Sequence, residues 1–148
     1  EPAAARRELV GRLGVTVIDP ADGSVAEQVT ALVGRPAVAA FDAVGSSGSV
    51  ADCLAATELG ASVCLVGMAA RRLDLAAFDV TAAERSLVGS FAYSSVDFGV
   101  ALDRLAATPE LAELLISRTV SLDEAPGTFA ALAAGDGTPG KVLVALGE

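Results

Sequence analysis

The residues able to do chemistry gather around one stretch, FDAVGSSGSVADCLAATELGASVCLVG, from Phe41 to Gly67. Asp42 is the acidic residue embedded in its apolar start. A carboxylate there could act as a general acid or base, or sit as a hydrogen-bonded residue at a strand end. The second reading is preferred, because a buried charge without partners is costly. Cys53 and Cys64 are too few and too widely spaced for a metal motif or a disulfide framework. Both are expected as buried, reduced thiols that pack as small hydrophobes. The chain holds no histidine, so a Ser-His-Asp triad or a His-ligated zinc within it is impossible. What remains is a Gly-rich turn entering a helix. The acidic balance of the chain does not exclude a phosphate-bearing small molecule, which a few backbone amides at a helix start can hold. The rhythm of strand, turn, helix and strand is that of a nucleotide-binding α/β domain, yet no G-x-G-x-x-G occurs.

The elements that position these residues follow from composition and periodicity. With 148 residues, 53% hydrophobic and 20% charged, the chain is one globular domain's worth of sequence. A net charge of −9 argues against nucleic acid or an anionic membrane as partner, since both need a basic footprint. No apolar run reaches the roughly 18 residues of a membrane span. The opening EPAAARRELVGRLG is not a signal peptide, and a cytoplasmic protein is expected.

Arg6–Leu13 reads as a helix stopped by Gly14, and the β-branched Val15–Asp19 as a short strand. Ser24 caps a helix through Val33. Ala37–Val44 and Ser62–Gly67 read as buried parallel strands, joined by a helix with Val50, Cys53, Leu54 and Thr57 on one face and Gly60 at its end. Beyond Gly67 come an extended piece, Leu73–Val80, and a strand, Leu87–Tyr93. An amphipathic helix follows through Phe98, Ala101, Leu102 and Leu105, then a short helix at Pro109–Ile116. A helix from Asp123 to Ala134 turns Phe129, Leu132 and Ala133 inward. Asp123 is preferred as its N-cap over a Ser121–Glu124 capping box, because that keeps Pro126 in the first turn. GKVLVAL closes the chain as a strand.

In this order, EPAAARRELVGRLGVTVIDP, AFDAVG, SVCLVG, LVGSFAYSSVDFGVAL, VSLDEAPGTFAAL and GKVLV resemble the C-terminal part of a medium-chain, zinc-type alcohol dehydrogenase. The polyol, butanediol and threonine dehydrogenase branch is the nearest in character, and the resemblance covers essentially the whole chain. It implies an α/β fold with a partial Rossmann-type parallel sheet flanked by helices, lacking its first strand and most of its second. Residues 1–96 would be the incomplete dinucleotide-binding domain. Residues 97–148 would be C-terminal helices and a final strand that docks on a missing catalytic domain. The glycine fingerprint, that domain and its zinc ligands are then expected upstream of residue 1. The chain would be a fragment, inactive by itself.

The same resemblance assigns cofactor positions. Glu1 matches the carboxylate that takes the adenosine ribose hydroxyls, which favours NAD because a carboxylate repels a 2′-phosphate. Arg6 could accept such a phosphate, which leaves NADP open, or be solvated. Val44 and Gly45 match the adenosine side. Val66, Gly67 and Met68, with Ser90, Phe91 and Ala92, match backbone that approaches the nicotinamide carboxamide. Lys141 matches a basic position near the pyrophosphate, a solvated lysine being the plain alternative. No catalytic and no metal-ligating residue is expected in the chain. The parent would be an NAD(P)- and zinc-dependent dehydrogenase of a small secondary alcohol or polyol and its ketone. The alternatives are a stand-alone α/β interaction module and a zinc-independent, quinone-reductase-like relative. By the same resemblance Leu73–Val80 would pair with its copy across a two-fold axis, giving a homodimer or a tetramer of dimers.

Overall fold

Helices alternate with strands along the chain, and the computed structural model describes residues 1–147. The helices are α1 (Ala4–Gly11), α2 (Val25–Val33), α3 (Ser47–Ala56), α4 (Ala77–Thr81), α5 (Ser95–Ala107), α6 (Pro109–Leu115) and α7 (Ala125–Ala133). The strands are β1 (Ala37–Asp42), β2 (Thr57–Leu65), β3 (Ser86–Gly89), β4 (Ile116–Ser121) and β5 (Lys141–Ala145). Contacts divide the chain into two units, Pro20–Ala92 and Glu1–Asp19 with the chain from Tyr93 on.

In the Pro20–Ala92 unit, β1, β2 and β3 form a parallel sheet in that order. Ser24 caps α2 through the Glu27 N–H, and Ser46 caps α3 reciprocally with Ser49. Helix α3 lays Val50 and Leu54 on Val63 of β2. Ala40, Leu65, Leu73, Leu75, Val80 and Leu87 close around this core. Burying each large aliphatic side chain here contributes about 1.5–3 kcal/mol.

Several expectations are corrected. Helix α3 ends at Ala56, not Gly60, and runs directly into β2. Pairing with β1 jumps from Ala37–Thr57 to Ala39–Ser62, so residues 58–61 bulge out of the ladder. Gly60, at φ +75°, makes that bulge possible and donates to the Ala83 carbonyl. Leu73–Val80 is not one extended piece: Leu73 and Leu75 pack on the core, and from Ala77 the chain is helical. The Val80 side chain reaches the same core from the helix, and that burial outweighs strand propensity. A proline at Ala77 would therefore sit in a first helical turn, where it is tolerated. The last strand of this sheet stops at Gly89 rather than Tyr93. Cys53 and Cys64 are free thiols as expected, though only half-buried.

The other unit carries a two-stranded parallel sheet of β4 and β5. Strand β4 was hidden by the polar residues in ISRTVS. Residues 15–19, read as a strand, lie outside every strand. Their β-branched propensity needs a ladder of backbone bonds to a neighbouring strand, and residues 15–19 are tied instead to the start of the chain. The Glu1 nitrogen donates to the Ile18 carbonyl at 3.1 Å, and Arg7 pairs with Asp19 at 2.6 Å. Helix α7 buries Ala125, and its Phe129 and Leu132 face Val142 and Val144 of β5 as periodicity suggests, while remaining solvent-exposed. Asp123 is not the N-cap: Glu124 holds that position, and the rejected Ser121–Glu124 box forms. The Glu124 carboxylate accepts both the N–H and the hydroxyl of Ser121 at 2.8 Å, and Pro126 still falls in the first turn because α7 begins at Ala125.

Helix α5 starts on a second carboxylate box, Ser94 with Asp97. Hydrogen bonds from the Ser94 hydroxyl and N–H hold the Asp97 carboxyl below its ordinary value, and the Ser121 N–H and hydroxyl do the same for Glu124. A depressed carboxylate contributes stability above its unfolded pKa and loses it as pH falls through the folded one. Circular dichroism of the chain should therefore show constant helix content from neutral pH down to about pH 5 and fraying below about pH 4. Asp97→Asn should remove part of that acid sensitivity. Equal acid profiles with and without the substitution would contradict the role of the box.

Candidate functional site

The ends of the first two parallel strands in Pro20–Ala92 are tied together by one residue. Asp42 closes β1 and is only 2% exposed. Its carboxylate accepts the N–H of Val44 at 3.1 Å and of Gly45 at 2.8 Å. Its carbonyl accepts the N–H of Val66 at 2.9 Å and of Gly67 at 2.8 Å. Past the strand ends the ladder continues, Ala69 donating to Val44 and Ala70 to Gly45, both at 3.0 Å. Ser90 joins from β3 by donating to Leu65 at 2.9 Å.

Gly45 and Gly67 make this stitching possible. A Cβ on Gly45 would lie 2.4 Å from the Gly67 carbonyl, and one on Gly67 would lie 2.2 Å from the Val44 carbonyl carbon. Gly45 also sits at φ +81°. The two backbones touch where side chains would stand, and the outer surface of the resulting ledge is open. Val44 and Val66 are exposed on it, with Met68 at 72% and Phe91 at 82%. Ser90 and Ala92 are exposed too, and Ala92 holds φ +57°, a conformation that costs a non-glycine residue energy.

The ledge consists of backbone amides and carbonyls with apolar side chains around them, and Ser90 adds a hydroxyl. Asp42 spends both carboxylate oxygens on backbone amides, in line with the strand-end reading. Burial pushes the Cys53 thiol up, and the negative charges of Asp42 and Asp52 push it further, so it is no nucleophile at neutral pH. The start of α3 is closed by its own box. The Ser46 hydroxyl accepts the Ser49 N–H at 3.0 Å, and the Ser49 hydroxyl accepts that of Ser46 at 3.1 Å.

Glu1, Arg6 and Lys141 belong to the other unit. One Glu1 carboxylate oxygen accepts the Ala3 N–H at 2.9 Å and pairs with Arg6 at 3.0 Å. Burial pushes the Glu1 carboxyl up, but the Ala3 amide and Arg6 outweigh it and hold it below its ordinary value. Lys141 opens β5 opposite Ile116 and is exposed. Val44, Gly45, Val66, Gly67, Met68 and Ser90 are thus brought together by backbone bonds, with Phe91 and Ala92 following directly in the chain. Sequence reasoning left out the part of Asp42 that matters, its grip on two loops at once. The available signal was D-x-x-G at a strand end, an Asx-type turn.

Parallel strands flanked by helices, with a surface open at the strands' carboxyl ends, define a partial Rossmann-type α/β domain. The chain belongs to the zinc-binding dehydrogenase family, whose model matches residues 1–107. No curated protein matches it significantly in sequence. Among solved structures it is similar to 2R,3R-butanediol dehydrogenase from Bacillus subtilis, with a TM-score of 0.86 and 20% identity, over 99% of this chain and 42% of that one. It is similar to a candidate zinc-binding dehydrogenase from Sinorhizobium meliloti 1021 bound to NADP (TM-score 0.75, 26% identity, 99% of this chain and 44% of that one). Bacillus subtilis protein yhfP with NAD bound matches at a TM-score of 0.66 and 23% identity, over 98% of this chain and 45% of that one. The chain therefore spans less than half the length of these structures.

Zinc, which the family name implies, does not fit the residues present. Among the described residues no three His, Cys, Asp or Glu side chains gather to hold a metal, and the chain has no histidine. No helix among them is long and apolar enough to cross a membrane.

Proposed function

We propose that this chain is the dinucleotide-binding part of an NAD(P)-dependent dehydrogenase of secondary alcohols or small polyols. The observation that carries this reading is that the family match spans residues 1–107 and takes in the whole strand-end ledge. The bound nicotinamide would supply the hydride acceptor. This chain's part is to hold it, with Val44 and Gly45 toward the adenosine end and Val66, Gly67, Met68, Ser90, Phe91 and Ala92 toward the carboxamide. Any zinc that polarises the alcohol belongs to residues outside this chain. Exposed Val38 and Phe41 along β1 support a sheet that is covered further in the natural protein, since parallel sheets are buried on both faces. A homodimer through Leu73–Val80 would use the face that carries exposed Phe78, since Leu73, Leu75 and Val80 pack on the chain's own core. A cytoplasmic location goes with the two free thiols, Cys53 and Cys64.

The test is to assay the natural protein with NAD+ and NADP+ on vicinal diols and simple secondary alcohols, and to titrate NADH and NADPH by fluorescence. Turnover with either cofactor supports the reading. Failure to bind both would leave an α/β interaction module as the better account.

Cofactor choice turns on Glu1 and Arg6. Glu1→Ala removes a carboxylate that would bond ribose hydroxyls, and it also releases Arg6 for a phosphate. In the natural protein the ratio of kcat/KM for NADP+ over NAD+ should rise about tenfold or more. An unchanged ratio would remove Glu1 from the cofactor site.

A further inference from the structure

We infer that Asp42 is the positioning residue of the cofactor ledge, coupling its two loops so that the adenosine end and the nicotinamide end are held as one body. The inference rests on the cofactor reading above and goes beyond it, because Asp42 is given no contact with the cofactor itself and acts only through the ledge residues it bonds. Its side chain and main chain face opposite loops. The carboxylate takes the Val44 and Gly45 amides, and the carbonyl takes those of Val66 and Gly67. The Gly45–Gly67 approach leaves no slack between the loops. A shift of one must therefore move the other, and a dinucleotide spanning both would feel any loosening at the hydride-transfer end.

Asn at this position keeps one acceptor oxygen but turns an NH2 toward the second amide, and Ala removes both acceptors. Two properties should change in the natural protein carrying Asp42→Asn. KM for the cofactor should rise about tenfold, the penalty for one unpaired buried amide. The deuterium isotope effect on kcat should grow, as misaligned hydride transfer becomes slower than product release. KM for the alcohol should stay within about twofold, because the ledge is not where the alcohol is proposed to bind. Asp42→Ala should exaggerate the same pattern, and where it fails to fold the Asn variant decides.

Arg85→Lys is the control. Arg85 ties β2 at its other end, through Thr57, so it should lower the melting temperature without moving cofactor KM or the isotope effect. If the unsubstituted protein binds neither NADH nor NADPH, the cofactor reading fails and takes this role with it. If it binds normally, and Asp42→Asn changes only stability or changes cofactor KM no more than Arg85→Lys does, the positioning role alone is overturned.

Discussion

Gly67→Ala is expected to lower the stability of the chain by at least about 3 kcal/mol, a large share of what a domain of this size possesses. The added methyl would meet the carbonyl carbon and nitrogen of Val44 at 2.2 and 2.4 Å and the Gly45 nitrogen at 2.3 Å. All three are backbone atoms, so no rotamer change relieves the contact. Either the loops after β1 and β2 part, losing the amide bonds to Asp42, or the strand ends shift. Gly45→Ala should be similarly severe, since it combines a 2.4 Å contact with a left-handed φ. Gly99→Ala is the internal comparison. It lies within α5 and an added Cβ meets nothing within 4 Å, so it should be neutral or gain about 0.5–1 kcal/mol from helix propensity. Urea denaturation of the three variants checks the set. A Gly67→Ala midpoint equal to that of the unsubstituted chain would mean the loops do not touch as described.

The second large effect belongs to Arg85, a residue with no role in the ledge. Its guanidinium donates to Thr57 twice, to the hydroxyl at 3.0 Å and to the carbonyl at 2.5 Å, and to the Asp79 carbonyl at 2.7 Å. Thr57 is 2% exposed and stands where α3 turns directly into β2. The fork thus ties the helix–strand junction to α4 at the end of the sheet away from Asp42. Arg85→Met keeps the aliphatic stem but leaves a buried carbonyl without its partner. The expected loss is about 2–4 kcal/mol, with Arg85→Lys intermediate because a single ammonium cannot make the fork. Thermal melts that rank Met with the unsubstituted chain would show that solvent replaces these bonds at no cost.

The parts of the fold that were legible are those whose cause is local. Ser24 starts a helix because a hydroxyl one residue before an apolar periodic run satisfies an amide the helix cannot. The runs AVAAFD and SVCL are strands because β-branched and small apolar residues fill a sheet covered by helices. That Val44, Gly45, Val66, Gly67 and Met68, the positions proposed for the cofactor, stand just beyond strand ends was legible for the same reason. They follow directly from where those strands end, and ligand surfaces of parallel sheets lie at carboxyl ends.

By itself, then, the sequence determined the class of fold, the Ser24 cap, the rough positions of the parallel strands β1, β2 and β3 and the lack of any histidine, all readable within a window of a few residues. It could not determine whether Val15–Asp19 becomes a strand, because a ladder depends on a neighbour and not on propensity. Nor could it show that Gly60 serves a bulge rather than a helix end, since that depends on where residues 58–61 lie relative to β1 and on the Ala83 carbonyl. The helical turn at Ala77–Thr81 was decided by Val80 reaching the shared core. The decisive pair, Gly45 and Gly67, lies 22 positions apart in the chain. Only the tertiary structure brings their backbones together, because the parallel register of β1 and β2 sets Asp42 beside Leu65 and leaves no room there for a side chain.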